Sequence, residues 1–141
     1  ACTWSPNGTL IACGSGNAQA LTVGSTFGNI SPSRIVVCRV SDGRLVSVSD
    51  SLTLNQGPVW SPDGRSLYFI SNRHGPRDIY AQRLSGAGEP RGEPVRLTSG
   101  LGAHTISLSP ARSTSTSSIH SAPASSDDST VAALTGAAAG E

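Results

Sequence analysis

A turn sequence that occurs twice constrains the fold of this chain more than any other feature. Trp4-Ser5-Pro6-Asn7-Gly8 returns 56 residues later as Trp60-Ser61-Pro62-Asp63-Gly64, and a weaker copy begins after a further 48 residues at Leu108-Ser109-Pro110. Each of the first two copies is followed by a short apolar run. Intervals of about 40 to 50 residues are typical of proteins built from repeated four-stranded units. The repeat therefore predicts an all-β architecture.

The second copy predicts one complete unit of four strands. In its turn, Pro62 presets φ, Asp63 binds its own backbone and Gly64 accepts a positive φ. The unbroken apolar run that follows favours a strand covered on both faces, and the Gly- and Pro-rich stretch 85–94 predicts a turn. The expected strands are 58–60, 67–70, 78–84 and 95–98.

The first copy predicts the same order with one long connection. Strands are expected at 10–13, 34–40 and 45–48, with Asp42-Gly43 as a hairpin turn. The Gly- and Ser-rich connection 14–33 is longer than usual. It is either a surface loop or an added hairpin around residues 21–23.

The second copy resembles the TolB-like propeller repeat, a relative of the WD repeat. The residues that carry the resemblance are, in order, Trp60 to Gly64, Ser71-Asn72-Arg73, Gly75 with Asp78-Ile79-Tyr80, and Arg96-Leu97-Thr98. The resemblance implies a partial β-propeller of four-stranded antiparallel blades, a fragment of a larger protein. A divergent blade would span residues 1–57, a well-matched blade 58–107, and the start of a third blade 108–110.

The composition changes at Ala111. Of the residues in 111–141, most are Ser, Ala, Thr or Gly and none is aromatic, which leaves little apolar surface to offset the entropy of ordering. The segment is expected to be a disordered tail with a weak helical turn at 131–134. Two origins are open: a flexible linker or tail, or an out-of-frame translation of the third blade.

Charge and hydrophobicity exclude two classes of partner. All 10 basic residues are arginines, they are mixed with acids, and the net charge is only +1. No basic stripe of the kind that binds phosphates is visible, so nucleic-acid binding is not expected. No apolar run approaches the ~20 residues of a membrane span.

Three groups of reactive residues are interpreted as structural. Cys2, Cys13 and Cys38 lack zinc-site spacing and are expected to be buried small hydrophobes, with a disulfide between Cys2 and Cys13 as the open alternative. No metal-ligand spacing connects the histidines. His74 is expected to be a solvated loop residue and His104 to make a structural hydrogen bond rather than face a channel ligand, while His120 lies in the tail.

The carboxylates and glycine-rich strings give the same interpretation. Asp63 and Asp78 are expected to hold a turn and a strand start, and Arg73 to pair with such an Asp. The string 24–28 has Thr where a hydrolase nucleophile would be Ser, and the string 14–16 is expected to be a turn rather than a phosphate loop.

No catalytic, cofactor or metal residues are therefore assigned, and the binding residues are unknown. The leading hypothesis is a non-catalytic propeller segment that binds a protein or peptide. The alternative is an accessory sensor or gating propeller of a bacterial serine/threonine kinase or prolyl-oligopeptidase-like peptidase, with the catalytic domain elsewhere. The resemblance favours a periplasmic or other extracytoplasmic location.

Overall fold

The described part of the chain consists of strands connected by turns. A computed structural model describes residues 1–16, 32–109, 119–121 and 131–135, and these contain no helix, which confirms the predicted all-β class. The strands are β1 (Cys2–Trp4), β2 (Leu10–Gly16), β3 (Ser33–Arg39), β4 (Leu45–Ser47), β5 (Asn55–Trp60), β6 (Ser66–Ser71), β7 (Asp78–Leu84), β8 (Pro90–Arg96), β9 (Thr105–Ser109), β10 (Ile119–Ser121) and β11 (Val131–Thr135).

Two four-stranded antiparallel sheets hold most of these strands. The first sheet has the order β1-β2-β3-β4 and the second has β5-β6-β7-β8, so that each strand pairs with its neighbour along the chain. The loop or hairpin expected around residues 21–23 lies outside the described residues.

A third sheet has the order β10-β11-β9, with β11 parallel to β9. The helical turn expected at 131–134 is therefore wrong. The open edge of β9 supplies backbone partners for this segment, which local helix propensity does not take into account. The other residues of the segment 111–141, for which disorder was expected, lie outside the described part.

The two Trp-Ser-Pro turns form the same backbone bonds. The N–H of Ser5 donates to the carbonyl of Leu10 at 2.8 Å, and the N–H of Ser61 donates to that of Ser66 at 2.9 Å. In return, the N–H groups of Leu10 and Ser66 each donate to the hydroxyl of the serine at 3.0 Å. The repeated sequence thus produces a repeated structure.

Asn7 and Asp63 accept the same hydrogen bond in the two turns. The Ser5 hydroxyl donates to Oδ1 of Asn7 at 2.8 Å, and the Ser61 hydroxyl donates to Oδ1 of Asp63 at 2.5 Å. Gly64 has a φ of 68°, and the glycine of the first turn has nearly the same value, in the region that other residues rarely adopt. The divergence of the first copy therefore leaves its turn intact.

The main core lies between the first and second sheets. Alternate residues of β2 and β3 point towards the second sheet, as the two-residue period of a strand requires. The core consists of Leu10, Ala12, Ile35, Val37, Val48, Trp60, Leu67, Phe69, Tyr80 and Leu84. A smaller cluster, Ile70, Ile79 and Ala103 with half-buried neighbours such as Tyr68 and Ile106, covers the other face of the second sheet.

The two repeated tryptophans have different surroundings. Trp60 is 4% exposed, and its indole N–H donates to the carbonyl of Thr3 in the first sheet at 3.1 Å. Trp4 occupies the equivalent position of the first sheet but is 58% exposed. The register places Trp4 beside Ile11, Cys38 and Leu45, so this face of the first sheet is largely apolar.

Three strands differ from expectation by three residues or more. β2 continues to Gly16 rather than ending at 13. The turn expected at 14–16 is therefore wrong, because these residues pair with the start of β3. β5 begins at Asn55 rather than 58, because Gly57 with a φ of 61° forms a bulge that lets the strand continue. β8 spans Pro90–Arg96 rather than 95–98. The buried amide of Gln82 donates to the carbonyls of Arg83, Arg91 and Gly92 at 3.0 to 3.2 Å, and these bonds hold a Gly- and Pro-rich segment as an edge strand, where proline is tolerated.

Candidate functional site

A cleft of about 510 Å³ opens where β1, β5 and β9 begin and β2 ends. We call it the inner cleft, because the first strands of successive sheets contact one another here, β1 with β5 and β5 with β9. Its wall combines apolar residues with polar ones and includes Asn55, Gln56, Val59, His104, Thr105 and Ile106. Concave, mixed surfaces of this size are typical of ligand-binding sites.

Asn55 fixes the floor of the inner cleft. Its side chain is fully buried, and its amide nitrogen donates to the carbonyls of Ser33, Asp50 and Thr53 at 2.8 to 3.1 Å. Its backbone N–H donates to the Ser33 hydroxyl at 2.9 Å, and that hydroxyl donates back to the Asn55 carbonyl at 2.8 Å. Asn55 therefore joins the two sheets, and its amide N–H groups are used within the fold.

Gln56 and Thr105 have side-chain hydrogen-bonding groups that are not used within the fold. Gln56 is half-buried and Thr105 is exposed, and both line the inner cleft. Neither side chain has a hydrogen-bond partner within the part of the chain that the structure describes. An amide and a hydroxyl can each donate and accept, so this pair suits a ligand such as a peptide backbone.

His104 also lies in the wall of the inner cleft. Its Nε2 is 2.6 Å from a guanidinium nitrogen of Arg77. Because arginine can only donate, Nε2 accepts and the proton of the neutral ring is on Nδ1. The predicted structural hydrogen bond is confirmed, and the same residue lines the cleft.

Arg73 joins the two sheets rather than adjacent turns. It was expected to pair with Asp63 or Asp78, which is wrong: its guanidinium lies 3.3 Å from the carboxylate of Asp50 and donates to Oδ1 of Asn55 at 3.0 Å. It also lies over the ring of Tyr80, 5.1 Å from the centroid. The sequence contains no local signal for this pairing, because Asp50 belongs to the connection between the sheets.

Burial opposes the ionisation of Asp50, but hydrogen bonds from the Thr53 side chain and from backbone N–H groups, with the charge of Arg73, lower its pKa overall.

His74 is exposed in a turn, as expected, and its Nδ1 is 2.9 Å from the Tyr80 hydroxyl. Burial raises the pKa of Tyr80. His120 lies on β10, where only the backbone is described.

Asp78 organises the start of β7. Its fully buried side chain accepts hydrogen bonds from the Arg96 guanidinium, from the Thr98 hydroxyl at 2.9 Å, and from the N–H groups of Gly100 and Leu101 at 3.1 and 2.9 Å. Burial alone would raise its pKa, but these bonds outweigh it and the pKa is lowered. The predicted structural role is confirmed.

Asp63 has the predicted turn role. The hydroxyl of Ser61 and the N–H of Arg65 donate to it, and these bonds lower its pKa. Asp63 lies just before the start of β6, whereas Asp78 pairs with Ser71, the last residue of β6. Five strand residues separate the two ends, about 17 Å, so the two carboxylates do not share a site.

The expected burial of Cys2 and Cys13 is wrong, and the alternative holds. The two residues face each other on β1 and β2 and form a disulfide. Cys2 is exposed and Cys13 half-buried, while Cys38 is a free, half-buried thiol. Direct cross-strand opposition brings the sulfurs together, which the spacing of 11 residues alone did not reveal.

The described residues contain no group of three or more His, Cys, Asp or Glu side chains that could hold a metal ion. Within the same residues, no helix is long and apolar enough to span a membrane. No model of a known protein family matches the chain.

Proposed function

We propose that the two four-stranded sheets are consecutive blades of a TolB-like β-propeller, and that this segment is a non-catalytic scaffold which binds a protein or peptide at the inner cleft. The observation that carries the proposal is the repeated turn with its matching hydrogen bonds, each copy placed between the first two strands of a four-stranded sheet. In a propeller, such sheets pack face to face around a channel.

The exposed Trp4 supports the blade interpretation. In the second sheet, the equivalent Trp60 is covered by the preceding sheet and bonded to it. The apolar face around Trp4 is what a blade presents to a preceding blade. The first strands of the three sheets also contact in sequence, as inner strands around an axis would.

The inner cleft supports the binding role. It lies at the starts of the inner strands, where propellers present loops and channel mouths to ligands. Among the described residues that line it, Gln56 offers an amide and Thr105 a hydroxyl that have no partner in the fold. This chemistry suits recognition of peptide groups.

The experiment is selection of linear peptides from a displayed library on the full chain. Selected peptides should lose binding to Thr105→Trp, which fills the inner cleft, and keep it for Ser107→Trp, an exposed position two residues along β9 that does not line the cleft. Failure to select any peptide, or equal binding to both variants, would refute the binding role.

A further inference from the structure

A second cleft, of about 660 Å³, lies at the opposite end of the second sheet from the inner cleft. Three exposed arginines line it: Arg65 just before β6, Arg83 near the end of β7 and Arg91 near the start of β8. We call it the arginine cleft. Its remaining lining includes Asn7, Asp63 and Ser85.

Two of the three arginines face each other directly. Arg83 and Arg91 are partners in the register of β7 and β8, and like charges opposite each other destabilise a strand pair. The register is firmly held, because the buried Gln82 amide bonds the carbonyls of both arginines at 3.0 and 3.2 Å. The fold thus maintains a local repulsion.

The first sheet contains the equivalent pair in neutralised form. There the N–H of Arg39 donates to the carbonyl of Arg44 across the hairpin at 2.9 Å. Arg39 has Asp42 at 3.2 Å, and Arg44 has Glu89, in the turn between β7 and β8, at 3.1 Å. In the second sheet, neither Arg83 nor Arg91 has a carboxylate at ion-pair distance among the described residues.

Asp63, the carboxylate that lines the arginine cleft, does not neutralise Arg83 or Arg91. Asp63 is held by the Ser61 hydroxyl and the Arg65 N–H, and its charge is offset in part by Arg65. A single glutamate contributed from a neighbouring unit, as Glu89 is to Arg44, would neutralise only one of the arginines. The cleft therefore presents an excess of positive charge.

We propose that the arginine cleft binds an acidic segment of a protein partner, whose Asp or Glu side chains take the places that Asp42 and Glu89 hold around the first pair. Guanidinium groups bind carboxylates in a two-point geometry that lysine does not offer. A nucleic acid is disfavoured, because three arginines in one short cleft do not form the extended track that a phosphate backbone needs. The inference extends the proposed function to a second site and does not depend on the inner cleft.

The test uses the full chain and a fluorescein-labelled oligoglutamate peptide, with binding followed by fluorescence anisotropy at low salt. An oligoglutamine peptide, inorganic phosphate and a single-stranded oligothymidylate are compared as probes. We expect binding of oligoglutamate, weakened about tenfold by Arg83→Gln and similarly by Arg91→Gln, since each removes one charge-assisted contact. Arg34→Gln removes the same charge from an exposed arginine of β3 outside the cleft and should leave binding unchanged.

The variants should fold, because each removes one member of a repelling pair. Their urea midpoints should equal or exceed that of the unchanged chain. A marked loss of stability in Arg91→Gln would show a structural role and overturn the proposal. Absence of oligoglutamate binding, equal binding by the Arg83→Gln and Arg34→Gln variants, or tighter binding of oligothymidylate or phosphate would also overturn it. Because none of these measurements involves the inner cleft, failure here leaves the selection with Thr105→Trp to decide the proposed function.

Discussion

The two repeated tryptophans allow a matched test of how the sheets pack. Trp60→Phe and Trp4→Phe make the same chemical change at equivalent positions of two similar sheets. Trp60 is buried against the first sheet and bonded to Thr3, whereas Trp4 is more than half exposed. If the packing between sheets stabilises the fold, the two variants should differ strongly in free energy of unfolding.

The expected magnitudes follow from these surroundings. Trp60→Phe removes one hydrogen bond, worth about 1 kcal/mol net. It also removes part of a ring that is 4% exposed, which costs a further ~1 to 2 kcal/mol. The total is about 2 to 3 kcal/mol. Trp4→Phe should cost less than about 0.5 kcal/mol, as surface substitutions usually do.

The assay is urea unfolding followed by far-ultraviolet circular dichroism, which needs no tryptophan. We expect a lower midpoint for Trp60→Phe at an unchanged slope, and a midpoint close to that of the unchanged chain for Trp4→Phe. Equal losses in both variants would refute the reasoning, because they would mean that Trp4 is as well packed as Trp60.

Three further outcomes are expected. The folded-state pKa values of Asp50, Asp63 and Asp78 are lowered, so their contribution to stability should be complete above the unfolded-state pKa of about 4 and be lost as pH falls through the folded values; a urea midpoint that rises on acidification would contradict this. Asp78→Asn should lower the free energy of unfolding by about 3 kcal/mol, because the amide nitrogen cannot accept the hydrogen bonds that one buried carboxylate oxygen takes from Arg96 and Gly100; a urea midpoint unchanged from that of the parent chain would contradict it. Replacing both Cys2 and Cys13 by Ser should cost about 2 to 3 kcal/mol, with the same assay under reducing conditions as the control; an equal midpoint in the oxidised parent and the double variant would show that the disulfide contributes nothing.

The sequence predicted the structure correctly where residues close together in the chain determine it. β7 spans Asp78–Leu84, the range that the sequence predicts, because a turn precedes it and its residues alternate between two buried faces. The Trp-Ser-Pro turns were predicted for the same reason: their bonds join residues that are two to five positions apart.

Contacts between distant segments could not be predicted in this way. β8 was placed too late because its glycines and prolines indicate a turn, whereas the buried amide of Gln82 holds the segment as a strand. The pairing of Arg73 with Asp50 depends on how the two sheets meet. In the inner cleft, Gln56 and Thr105 come together only because β5 and β9 are adjacent, and neither residue type marks a site by itself.

The distribution of satisfied and free polar groups separates structure from binding surface in this protein. Asp78 and Asn55 are fully buried, and their side chains form several hydrogen bonds within the fold. Because a group that is already bonded must lose a contact before it can bind a ligand, such residues are poor recognition elements. Among the described residues, groups with unused capacity include Gln56 and Thr105 at one end of the second sheet and the arginine cleft at the other. A scaffold with bonded polar groups inside and free ones at both ends is suited to holding partners.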